Sequence, residues 1–200
     1  MVGNDVVDLR DGETRPLDPA RFDARVFCET ELRGLARGAD RGRQRWRLWA
    51  AKEAAYKAAV REDPATVFSP VCFRVHLDGP GPGGRGDPER EGWVEMPGGV
   101  VPVRVSEQAG AVHAVVGSGS GTLAAAMRVS PGDPGPAALA AETRRFARRR
   151  IARALGAGPA DVEIRKRGRL PELWIGGRCA GPLSLSHHGS VVGFAWELPR

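Results

Sequence analysis

Two hundred residues, 42% of them apolar, suffice for one domain or for two small lobes sharing a core, and no apolar run reaches the length of a membrane span. The formal charge of +6, carried mostly by arginine, fits an anionic cofactor, an acidic partner or nucleic acid, so charge alone selects no function. Cys28, Cys72 and Cys179 are scattered, odd in number and form no Cys-x-x-Cys pair, which argues against a zinc site or a disulfide framework and for a reducing cytoplasm. The first ten residues carry early charges and lack the apolar segment of a signal peptide.

In chain order, residues 1–8 are expected to form an apolar strand carrying Asp5 and Asp8, and 11–24 a polar, proline-containing approach. Val26, Phe27, Leu32 and Leu35 predict a short helix over 26–37 that begins near Glu29 and Thr30. Arg43 to Val60 is rich in alanine, free of glycine and proline, and is the strongest helix; Asp63-Pro64 ends it. Residues 71–77 alternate as a strand, 79–92 make a Gly/Pro-rich loop, and Val94, 100–105 and 112–116 are further strands. Loops are expected at 117–121 and 130–136. A second helix follows over 139–155, then a strand at 162–164, a turn at 168–171, and a final apolar strand region over 183–196.

On the long helix, Trp49, Glu53 and Lys57 follow at i, i+4 and i+8 and share a face. Brought to the end of the first strand, that face joins two carboxylates to an ammonium. Oxygen donors of this kind suit Mg²⁺, which keeps waters and completes its shell with phosphate. Taken alone, Glu53 and Lys57 are also the ordinary ion pair of a solvated helix, and Asp5 an ordinary strand-end residue.

The spacing resembles the signature of the 4′-phosphopantetheinyl transferases: Gly3-x-Asp5, then Trp49-x-x-Lys52-Glu53-Ala54-x-x-Lys57, then Ser184-Leu185-Ser186-His187 with its small apolar continuation, Gly189 to Ala195. The motif order is that of the short, holo-acyl-carrier-protein-synthase type. The length, and the strands after the Lys-Glu helix, are nearer the surfactin-synthetase-activating type. Two departures are Ala50, where the family often has Ser, Thr or Cys, and Gly168-Arg169-Leu170-Pro171 in place of a Gly-Lys-Pro turn.

The resemblance implies an α+β, phosphopantetheinyl-transferase-like fold of small antiparallel sheets packed with helices. It leaves two organisations open: pseudo-equivalent halves, 1–128 and 129–200, in a monomer, or a short-type subunit with a β-rich insertion that trimerises. The implied activity is Mg²⁺-dependent transfer of 4′-phosphopantetheine from coenzyme A to a serine of an apo acyl or peptidyl carrier protein, the pathway (fatty-acid, polyketide or peptide synthesis) being left open. Asp5 and Glu53, with Asp8 as a third candidate, would hold the metal. Glu53 and Lys57 would be catalytic, with Glu53 or a metal-held water favoured as base because nearby carboxylates keep a lysine protonated. Lys52, Lys57 and His187 would contact coenzyme A. The Arg-rich segment 144–150 is either a solvated face or a docking surface for an acidic carrier or a phosphate. The competing class is a non-catalytic basic protein that binds coenzyme A or nucleic acid. No nucleic-acid-binding motif, Walker loop or kinase-type glycine loop is present, and no nucleic acid or membrane partner is expected.

Overall fold

The computed structural model describes residues 1–38, 40–77, 89–118, 122–130 and 135–198. The chain begins with β1 (Val2–Asp8) and continues through α1 (Pro19–Val26), α2 (Glu29–Arg37) and α3 (Arg41–Glu62) to β2 (Arg74–Leu77). Then come β3 (Arg90–Met96), β4 (Gly99–Gln108), β5 (Ala111–Gly117), β6 (Thr122–Val129) and α4 (Pro136–Leu155). The chain ends with β7 (Val162–Arg167), β8 (Leu170–Ile175), β9 (Arg178–His188) and β10 (Val191–Leu198).

The helices start and stop where their caps allow. Asp18 accepts a hydrogen bond from the Arg21 N–H, and Pro19 takes the first helical position of α1, where no N–H is needed. Asp40 caps α3 in the same way through the Arg43 N–H. Gly156, with φ of +64°, closes α4 in the left-handed conformation.

Among the described residues ten antiparallel strands form two five-stranded sheets, ordered β1-β5-β4-β3-β2 and β6-β10-β9-β8-β7. The orders are identical once each unit is counted from its first strand: a strand, a helical segment, then a four-strand meander whose last strand pairs with the first. Each sheet carries one long helix. Buried alanines 50, 51, 54, 55 and 58 seat α3 on the first sheet beside Val7, Val94, Val103 and Val105. Phe146 and Ile151 of α4 pack on Leu173, Leu183, Phe194 and Trp196. The sheets meet through Val2, Val115 and Ala195 with Leu123 and Ala125, and through Val6, Ala111 and Val191 with Met127 and Val129.

Close approach of α3 to β1 requires Gly3. A Cβ there would lie 2.0 Å from the Ala54 carbonyl oxygen and 2.9 Å from the Ala58 nitrogen. Both atoms belong to the helix backbone, which cannot rotate away, so a glycine sets the distance at which α3 crosses the strand.

The free edge of β1 is closed by side chains. Successive outward N–H groups of an edge strand lie two residues apart. Here Asn4 N donates to Ser184 Oγ at 2.9 Å, Val6 N to Ser186 Oγ at 3.3 Å and Asp8 N to His188 Nδ1 at 3.1 Å. Alternate side chains of β9 thus run alongside β1 in the same direction and tie the second unit to the first.

Several expectations change. Residues 11–24 contain a 3-10 turn at 12–14 and most of α1, which Asp18-Pro19 announces. The strand expected at 71–77 begins only at Arg74, after a 3-10 turn over 70–72. The loops expected at 79–92, 117–121 and 130–136 lie largely outside the described residues, though Arg90 to Gly92 belong to β3 and Pro136 opens α4. Leu170 and Pro171 already belong to β8, and the region 183–196 is two strands joined at Gly189-Ser190. β6 was not expected, because Leu-Ala-Ala-Ala-Met is a run of helix formers. It forms a strand by pairing along β10 from Thr122↔Leu198 to Val129↔Val191. The sheets therefore part between Gly117 and Thr122, earlier than a division at 128/129. Among the described residues no helix is long and apolar enough to cross a membrane.

Candidate active site

β1 and α3 bring Asp5, Glu53 and Lys57 together. Asp5 faces the helix that Gly3 admits, and its Oδ1 accepts from Lys57 Nζ at 2.8 Å and from Ser186 Oγ at 2.7 Å. Lys57 Nζ also donates to Ser186 Oγ at 3.2 Å. Glu53, one turn earlier on α3, is half-buried. Burial first, then the Asp5 charge, push its pKa up to about 7, with Lys57 opposing. Lys57 is ion-paired with Asp5 and acts on Glu53 only through its charge, which does not offset burial and the Asp5 carboxylate, so Glu53 favours its proton.

Among the described residues no group of three or more His, Cys, Asp or Glu could hold a metal by itself. The donor set nevertheless fits Mg²⁺. That ion is commonly bound through one or two carboxylates, with waters and substrate phosphate filling the rest. The raised Glu53 pKa marks a place where added positive charge is favourable.

Asp8 is placed elsewhere. Its Oδ1 accepts from Arg10 Nε at 2.9 Å and its Oδ2 from Ser190 Oγ at 2.6 Å and Ser190 N at 3.1 Å. Burial opposes ionisation, but these bonds prevail and hold the carboxyl well below the usual carboxylate range. Asp8 locks the β9–β10 turn onto the end of β1. A metal role does not fit a carboxylate whose two oxygens are already engaged.

Lys52 is likewise corrected. Its side chain is fully buried, and its ammonium donates to Glu31 Oε2 at 2.8 Å, to the Pro70 carbonyl at 3.0 Å and to the Phe73 carbonyl. Three donors meet three acceptors, leaving none for a phosphate. Glu31 in turn accepts from Cys28 N and Val75 N, so this ion pair fastens α2, α3 and β2. Trp49 packs against Phe22 and Phe68 in the aromatic cluster beside α3.

His187 points to the face of β9 opposite Ser184, Ser186 and His188 and is exposed. Desolvation, then the positive charges of Lys57, His188 and Arg144, hold its pKa below the ordinary histidine value. His113 is fully buried beneath Asn4, whose amide nitrogen lies 3.2 Å from its Nε2, and burial pulls its pKa down to about 3. It is a neutral core residue.

Beside Lys57 opens a cavity of about 210 Å³, lined among others by Tyr56, Arg61, Arg169, Pro171 and Leu185. Arg61 reaches from α3 to the carbonyls of Pro171 and Leu183. Three cations, Lys57, Arg61 and Arg169, thus border one opening between the two units, which suits a polyphosphate. Sequence reasoning did not mention Arg61; it included Ser186 and Arg169 as parts of the Ser-x-Ser-His and Gly-Arg-Leu-Pro motifs without placing either beside Asp5 or Lys57. The Ser-x-Ser alternation already puts Ser184 and Ser186 on one face of a strand.

A family model described as the 4′-phosphopantetheinyl transferase superfamily matches residues 1–82, which contain the Gly3-x-Asp5 and Trp49 to Lys57 motifs. The match bears out the superfamily resemblance, and the α+β architecture of two antiparallel sheets and packed helices is consistent with that fold. It supports phosphopantetheinyl transfer as the general class of activity. No curated protein matches the chain.

Proposed function

We propose that the protein transfers 4′-phosphopantetheine from coenzyme A to a serine of an apo acyl or peptidyl carrier protein in the cytoplasm, with Mg²⁺ as cofactor and adenosine 3′,5′-bisphosphate as the other product. The observation that carries this reading is the convergence of Asp5, Glu53 and Lys57 beside a cation-rimmed cavity.

In this reading Asp5 and Glu53 hold Mg²⁺. When bound, the ion neutralises charge on the pyrophosphate of coenzyme A. Lys57, 2.8 Å from Asp5, is placed to exchange its carboxylate partner for a phosphate oxygen and to stabilise the leaving bisphosphate. Arg61 and Arg169 hold the nucleotide side of coenzyme A at the cavity rim. His187, largely neutral at pH 7, offers a hydrogen bond to that part of the ligand. Glu53, or a water held beside it, would accept the carrier serine proton. The +6 charge assists docking of an acidic carrier. Both walls of the site come from one chain, so we read the active form as a monomer rather than a homotrimer.

The test is incubation with coenzyme A, Mg²⁺ and a panel of apo carrier proteins, read by intact mass. One carrier should gain a single phosphopantetheine, and the gain should vanish with chelator or with Glu53→Ala. Near-normal transfer by Glu53→Ala would remove the site assignment. A wild-type protein that binds no coenzyme A would remove the function.

A further inference from the structure

Ser186 has no part in the transfer scheme above, yet its hydroxyl carries a contact from β9 of the second unit to the Asp5 carboxylate of the first. The hydroxyl is almost fully buried, 6% exposed for the residue. It has three partners: Asp5 Oδ1 at 2.7 Å, Lys57 Nζ at 3.2 Å and Val6 N at 3.3 Å. A hydroxyl carries one proton and two lone pairs. The Val6 amide and the Lys57 ammonium can only donate, so both lone pairs are spent on them. The single proton must therefore go to Asp5. Oδ1 is thus held twice, by Lys57 and by Ser186, and among the described residues nothing donates to Oδ2.

The geometry points to Ser186 as a positioning residue for the transfer reaction: by clamping Oδ1 of Asp5 it keeps the carboxylate in one orientation, with Oδ2 left for the cation. This rests on the proposed reading of Asp5 as a metal ligand. Groups that orient metal-binding carboxylates commonly change affinity or activity 10- to 100-fold when removed. The second unit thereby supplies more than a cavity wall, because its strand sets the donor atom on β1.

Ser184 provides an internal control. It sits two residues earlier on the same face, is equally buried, and accepts from Asn4 N at 2.9 Å, with no contact to Asp5. Ser184→Ala therefore removes a comparable tie between β9 and β1 and nothing else at the carboxylate.

The experiment measures Mn²⁺ binding by electron paramagnetic resonance for the wild type, Ser184→Ala and Ser186→Ala, with coenzyme A affinity, melting temperature, kcat and KM in parallel. Ser186→Ala should weaken Mn²⁺ binding about 10-fold and lower kcat by a similar factor, with KM for coenzyme A unchanged. Ser184→Ala should hold Mn²⁺ within about two-fold of wild type while losing a similar amount of melting temperature. Equal losses of Mn²⁺ affinity in the two variants, or none in Ser186→Ala, would overturn the role. Should the alanine variant not fold, the near-isosteric pair Ser186→Thr and Ser186→Val decides, since only threonine keeps the hydroxyl: threonine should bind Mn²⁺ more tightly, and equal affinities would overturn the role. A wild type that binds coenzyme A but no Mn²⁺ would instead remove the metal reading on which this inference rests.

Discussion

At Glu53, burial and the Asp5 carboxylate act in the same direction, both favouring the neutral acid. Its folded pKa of about 7 lies above the ordinary 4.5, so between these values the folded protein binds more protons than the unfolded chain. The cost to stability is absent below pH 4.5, grows as pH rises and is complete above about 7. Glu53→Gln should accordingly stabilise the metal-free protein at pH 8 by on the order of 1–3 kcal/mol and change little at pH 4, measured by denaturant unfolding. No gain at pH 8 would show that Glu53 ionises freely. The same titration makes cation binding tighten as pH rises toward 7, because a ligating carboxylate must be ionised. Lys52 gives the opposite kind of prediction. Lys52→Met leaves Glu31 without its countercharge and should cost roughly 3–5 kcal/mol in unfolding experiments. The folded fraction should keep the wild-type KM for coenzyme A; a large rise in KM would return Lys52 to the ligand.

Among the elements, α3 matters most, and its position depends on β1. Gly3→Ala sets a methyl group against helix backbone at 2.0 Å, so helix and strand must move apart. The expected cost is on the order of 3 kcal/mol, with loss of transfer, since Glu53 and Lys57 ride on the same helix. Melting and intact-mass assays check both, and a stable, active Gly3→Ala protein would mean the helix can shift without consequence. Element boundaries were legible where chemistry is local. The alanine-rich, proline-free stretch gave α3, and Asp63-Pro64 gave its end. α1 was equally encoded by Asp18-Pro19 but hidden by the polarity of its surroundings. β6 was not encoded locally at all. Its alanines favour helix, and only burial between β10 and the first sheet makes them a strand.

For the whole molecule, two units of the same strand order are joined by apolar contacts and by the β1–β9 ties. The interface includes the fully buried Val2, Val6, Val191 and Ala195, so neither unit should be stable by itself. Calorimetry should show one cooperative transition. Two separated transitions would mean that the units unfold independently and that the site is lost with the first of them to melt.

The sequence by itself named Asp5, Glu53 and Lys57 as candidates and set which neighbours share their faces. A helix period of 3.6 residues puts Glu53 and Lys57 on one face, and a strand period of two separates His187 from Ser184 and Ser186. The tertiary structure decided which of these side chains meet. It sent Lys52 into the core and Asp8 to Arg10, and it brought Ser186 to Asp5 across a sequence separation of 181 residues. Periodicity carries information over a few residues. Contacts between β1 and β9 arise only when both units bury their apolar faces against each other, and that depends on the chain as a whole.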